Sequence, residues 1–152
     1  MSEVHLDQVR TIEETSFRQP WPPLAFEGEI NHPLGLPLVA VVEPSGAVAG
    51  YLVLWLVADE VQVQNLAVSP RVRRRGVGRR LLVAGLREAW RRGATKATLE
   101  VRPSNRAARR LYESLGFHLV GVRPCYYESE QEDALLLDCD LTSLFTSLPE
   151  TT

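Results

Sequence analysis

The stretch EVQVQNLAVSPRVRRRGVGRRLL, residues 60–82, constrains the fold more than any other part of the chain. Its first ten residues alternate and then become continuously apolar, which predicts a strand that Pro70 stops. From about residue 77 to 92, Leu81, Leu82, Leu86, Ala89 and Trp90 recur at helical spacing, and Gly93 suits the cap that ends the helix. Between strand and helix lies a loop with arginines at 73, 74, 75, 79 and 80 around Gly76 and Gly78. A strand that feeds a helix through such a loop points to an α/β architecture.

The flanking pattern fills out that architecture. Leu6, Val9 and Ile12 share a face of a helix over residues 3–17, and RQPWPP ends it. Pro22 and Pro23 suit the first turn of a second helix over 22–31. LPLVAVVE and AVAGYLVLWLVAD flank the turn PSG as a hairpin. TKATLEVR is a further strand, and PSNRAARRLYESLGF is a helix capped by Ser104 or Asn105 that buries Ala108, Leu111 and Leu115 and stops at Gly116. FHLVGVRPCYY and DALLLDCDL close the chain around an acidic turn. The expectation is a single mixed, mostly antiparallel sheet flanked by about four helices. One domain spans 1–141, and 142–152 form a loosely held tail.

Composition narrows the function. A length of 152 residues with 45% apolar and 24% charged residues suits one globular domain. No apolar run reaches the roughly 20 residues of a bilayer span, and MSEVHLDQVR lacks the apolar core of a signal peptide, so a cytoplasmic protein with no membrane partner is expected. The net charge of −2 argues against nucleic acid as a partner. Cys125 and Cys139 lack metal-ligand spacing, and His5, His32 and His118 are scattered, so no metal is expected.

The arginines therefore have a local purpose. A helix start leaves N–H groups unpaired and carries about half a positive charge, which attracts anions. Gly76 and Gly78 permit the positive φ values that turn successive amides into one concavity, and Arg73, Arg74, Arg75 and Arg79 add forked donors. Read from the residues alone, the loop fits a pyrophosphate cradle and a solvated helix start equally. A Rossmann loop does not fit, because the third glycine position is Leu81, and the Gly-Lys-Ser/Thr ending of a P-loop is missing.

VQNLAVSPRVRRRGVGRRLL resembles the signature of the Gcn5-related N-acetyltransferase (GNAT) superfamily, a strand followed by Arg/Gln-x-x-Gly-x-Gly/Ala, with Arg73, Gly76 and Gly78 on the pattern. LEVRPSNRAARRLYESLGF resembles the family's second half, and the likeness runs from IEETSFRQPW to EDALLLDCDL. The set is most similar to the RimI-type branch, the bacterial ribosomal-protein alanine N-acetyltransferases. Pro22, where the branch has a small polar cap, and the lack of a proline after the Tyr126–Tyr127 pair depart from its pattern in the acceptor groove.

The resemblance implies a GNAT fold in which the strand NLAV splays from LEVR, leaving a wedge for acetyl-CoA. Leu66, Ala67 and Val68 would pair with its pantetheine, and the loop from Arg73 through Val77 to Arg79, with Asn105, would hold the rest of the coenzyme. Glu100 matches the base position and Tyr112 the acid that protonates the departing thiolate. An α-amine with a pKa of about 8 arrives mostly protonated at neutral pH and needs such a base, whereas a phenol of ordinary acidity keeps its proton. Desolvation within ATLEV would make Glu100 a better acceptor. Periodicity alone instead turns Thr98, Glu100 and Arg102 to the surface, and packing alone accounts for Tyr112. Trp21, Tyr126 and Tyr127 would grip a protein N-terminus, that of a ribosomal protein. The same chemistry on a lysine or a small amine, and a noncatalytic coenzyme-binding module, are the rival readings.

Overall fold

Leu6, Val9 and Ile12 bury one face of α1, Leu6–Ser16, and an apolar stripe of this kind is what makes so short a helix stable. The computed structural model describes residues 1–17, 19–22, 24–127 and 132–147, the side chains of residues 125–127 excepted. The remaining elements are α2 (Ala25–Ile30), β1 (Gly35–Val42), β2 (Ala47–Val57), β3 (Glu60–Val68), α3 (Val77–Arg91), β4 (Lys96–Val101), α4 (Arg106–Ser114), β5 (His118–Tyr127), β6 (Glu132–Asp140) and α5 (Leu141–Ser147). The six strands are hydrogen-bonded in the order β1-β2-β3-β4-β6-β5. β3 and β4 run parallel, while β1 with β2, β4 with β6 and β5 with β6 are antiparallel, so the sheet is mixed as expected.

The second helix starts at Ala25, later than the expected 22. Pro22 precedes another proline, which disfavours helical backbone at Pro22. The residues group into two compact units. Met1–Leu56 with Gln64–Gly85 make the first, and Val57–Val63 with Leu86–Thr152 make the second.

In the first unit β2 is buried continuously from Val48 to Leu54, as befits a strand covered on both faces. Its register on β1 jumps from Ala40↔Gly50 to Val41↔Val48, so Ala49 is an extra, bulged residue. The bulge shifts the alternation by one, and Val48 thereby shares a face with Tyr51 and Val53. These three pack with Leu6, Val9, Ile12, Phe26 and Ala67. Leu52 and Leu54 point the other way, onto Gly85 of α3, where an added Cβ would lie 2.6 Å from Leu52 Cδ2. The Val48 N–H beside the bulge donates to Gln8 Oε1 of α1 at 2.8 Å.

In the second unit Ala97, Leu99 and Val101 of β4 face the core with Leu86, Ala89, Leu115 and Phe117. Two helices end in the same way. Gly93 (φ +104°) and Gly116 (φ +97°) hold the left-handed residue of a Schellman cap, with Ala94 N–H on Ala89 C=O at 3.0 Å and Phe117 N–H on Tyr112 C=O at 3.1 Å.

Residues 142–147, for which a loosely held tail was expected, lie in α5. Asp140 Oδ1 accepts the Ser143 N–H at 3.2 Å, the N-cap geometry, and α5 then buries Leu141, Leu144 and Phe145. The Phe145 ring lies 5.6 Å from that of Trp90, with the Arg87 guanidinium 5.1 Å above it. Phe145→Ala is expected to lower the unfolding free energy by about 3 kcal/mol, read from the urea midpoint. A change under about 0.5 kcal/mol would show that α5 adds nothing to the core.

Candidate active site

The arginine loop belongs to the first unit, and backbone hand shapes it. Ser69 N–H closes β3 onto the bulged Ala49 C=O at 2.7 Å, and Ser69 Oγ accepts the Arg71 N–H in a short 3-10 turn, Pro70–Val72. Arg74 (φ +66°) and Gly76 (φ +77°) then adopt left-handed backbone. The Arg80 N–H donates to Gly76 C=O at 3.0 Å, as the first bond of α3. The N–H groups of Val77, Gly78 and Arg79 precede it in the helix and are not used by the helical ladder. An added Cβ at Gly76 would meet nothing within 4 Å.

Two expectations change in detail. Gly78 lies inside α3, so the second left-handed position is Arg74 and not Gly78. Arg73 also spends its donors on the protein: Nε on Val68 C=O at 3.3 Å and Nη2 on Ser16 Oγ at 3.3 Å. It braces the end of β3 against α1, while Arg74 and Arg75 are exposed. Leu66 and Val68 are half-buried and Ala67 is buried. Gly50 of β2 packs so near that a Cβ there would lie 2.8 Å from Ala67 O. The parallel pairing of β3 with β4 runs through Glu60↔Lys96, Val61↔Ala97 and Gln62↔Thr98 and ends before these residues.

Trp21 belongs to the same unit. It is half-buried and stacks on Phe26 with ring centroids 5.0 Å apart. Its N–H donates to Glu13 Oε2 at 2.8 Å. Glu13 is only 2% exposed, and its Oε1 accepts from Asn65 Nδ2 at 2.7 Å and from the Tyr51 hydroxyl. Burial, that hydrogen bond and the carboxylate charge together hold the Tyr51 phenol well above its ordinary range. The sequence reading missed Glu13. The available signal was its place four residues beyond Val9 on the apolar face of α1, where a charged side chain needs an explanation.

The second unit holds the expected acid–base pair and Asn105. Asn105 caps α4, accepting the Ala108 N–H at 3.2 Å. Tyr112 is 7% exposed and is the residue whose carbonyl closes the Schellman cap, with the Phe117 ring 5.7 Å from its own. Glu100 keeps access to solvent, where desolvation was expected. It stands on the outward face of β4, its side chain 32% exposed, with Oε1 3.0 Å from Arg123 Nη1. Arg123, on β5, was not foreseen. The side chains of Tyr126, Tyr127 and Cys125 lie outside the described residues; the Tyr127 backbone pairs with Glu132. Cys139 is buried, its thiol facing Leu115 C=O at 3.6 Å, and burial together with Asp140 pushes it up to about 11.

A mixed α/β sheet whose strand β3 leads through an arginine- and glycine-rich turn into α3 suits a protein that binds an anionic ligand at a helix start. Residues 6–117 match the acetyltransferase (GNAT) family, and the chain belongs to that family. Its acyl donor is acetyl-CoA. The chain is 37% identical over 140 residues to the [ribosomal protein bS18]-alanine N-acetyltransferase of Salmonella typhimurium, covering 90% of this chain and 92% of that one. It is 37% identical over 129 residues to the N-alpha-acetyltransferase RimI of Mycobacterium tuberculosis, covering 80% and 76%. The crystal structure of the ribosomal-protein-S18-alanine N-acetyltransferase from Escherichia coli superimposes with a TM-score of 0.84 at 32% identity, over 93% of this chain and 90% of that one.

Gly76→Ala is expected to cost about 1 kcal/mol of backbone strain and to raise the acetyl-CoA dissociation constant roughly tenfold by calorimetry. Unchanged affinity would remove the loop from the coenzyme site. Cys139 is expected to resist iodoacetamide in the folded enzyme at pH 8, because burial beside Asp140 keeps it a thiol, and to react after unfolding. Mass spectrometry of the labelled peptide reads both states.

Proposed function

We propose that this enzyme acetylates a protein α-amino group, the N-terminal alanine of a small-subunit ribosomal protein, in the cytoplasm. The observation that carries the reading is the likeness to bS18-alanine N-acetyltransferases across nine-tenths of both chains. The loop at Arg74–Arg79, with Asn105, is proposed to hold the coenzyme phosphates, and Leu66–Val68 its pantetheine. Trp21, Tyr126 and Tyr127 are proposed to grip the N-terminus of the acceptor.

Three transfers complete the reaction. The neutral amine attacks the thioester carbon, the carbon–sulfur bond breaks, and the amide nitrogen sheds one proton. Glu100 takes that proton. Its exposure allows a water to relay it while Arg123 holds one carboxylate oxygen. The leaving thiolate receives the Tyr112 proton; the phenol then recovers a proton from solvent, and Glu100 gives the one it took to solvent. Both groups return to their starting states.

Release of coenzyme A thiol is expected with an alanine-initiated peptide and not with the same peptide blocked at its N-terminus. Equal turnover of the blocked peptide through its lysines would overturn the acceptor assignment. Tyr112→Phe keeps the ring against Phe117 and is expected to lower kcat at least about 100-fold, with acetyl-CoA affinity and thermal midpoint unchanged. Wild-type kcat in that variant would remove the acid role.

A further inference from the structure

Glu13 is a buried carboxylate that acetyl transfer does not use. Among the described residues its partners are three neutral donors and no cation: the Trp21 N–H, Asn65 Nδ2 and the Tyr51 hydroxyl. A buried charge held only by hydrogen bonds is costly, and an apolar side chain would fit the stripe of Leu6, Val9 and Ile12 at less cost. The donors come from three segments of the first unit. One is the main chain at Trp21, one is the core strand β2, and one is the residue immediately before Leu66.

We propose that Glu13 is a positioning residue that sets the acceptor wall at Trp21 against the coenzyme strand at Leu66–Val68. The role rests on the acetyl-transfer reading above. The geometry has a second line in register with the first: Glu13 meets Asn65, and three residues further along each element Ser16 meets Val68 through Arg73. The C-terminal half of α1 thus runs beside the end of β3 and carries the Trp21 segment beyond it. The carboxylate touches both sides, with Oε2 on the Trp21 side and Oε1 on the Asn65 side.

That division makes the test specific. Glu13→Gln keeps the volume and an acceptor oxygen for the two donors at Tyr51 and Asn65, and turns an amide NH2 toward the Trp21 N–H. The peptide KM is expected to rise about tenfold, with kcat and the acetyl-CoA KM within about twofold. Hydrogen exchange at the Trp21 amide is expected to accelerate at least about tenfold, while that of α1 holds. Asn65→Ala, which leaves the carboxylate in place and serves also if the Gln variant does not fold, is expected to raise the acetyl-CoA KM about fivefold and spare the peptide KM. Unchanged KM values and unchanged exchange overturn the proposal, as do parallel rises of both KM values in both variants, the sign of general loosening. If the unmodified enzyme transfers acetyl to no peptide, the acetyl-transfer reading fails and this role falls with it. An active wild type beside an indifferent Glu13→Gln refutes the role alone.

Discussion

The end of β3 depends on one main-chain contact, the Ser69 N–H on the carbonyl of the bulged Ala49. Without the bulge, Val48 would turn with Leu52 and Leu54 toward α3, and the core against α1 and α2 would lose a side chain. With it, one strand serves two layers and still presents a carbonyl where β3 must stop. Gly50, next to the bulge, lets Ala67 approach more closely than any Cβ would permit. The strand that the coenzyme is proposed to meet is therefore placed by backbone geometry, and Arg73 and Asn65 then fasten it to α1.

The proposed acid is placed by a different device. Tyr112 precedes Gly116 by four residues, and the left-handed turn at that glycine folds Phe117 back onto the tyrosine ring. The orientation of the phenol follows from how its helix ends. Glu100 has no comparable enclosure; strand alternation turns it outward, and Arg123 from β5 meets it there.

Much of this was legible in the sequence because it follows from local rules. Strand alternation, the glycine caps, the Asn105 cap and the loop between β3 and α3 each depend on a few neighbouring residues. The features that escaped depend on distant partners. The surroundings of Glu13 come from residues 8, 38 and 52 positions away, and no window along α1 contains them. Arg123 reaches Glu100 from another strand. α5 was readable, since Asp140 precedes Leu141, Leu144 and Phe145 at helical spacing, but one residue both ends β6 and caps the helix, and the strand pattern masked the cap.

Arg74 has a consequence of its own. An L-residue in left-handed backbone costs about 1 kcal/mol, and glycine is the residue that avoids the cost. At the neighbouring left-handed position the chain uses glycine; at this one it keeps a guanidinium. The loop thus gives up some resistance to heat for an extra cation, which makes Arg74 the position where a thermally tougher version of this protein would first be sought.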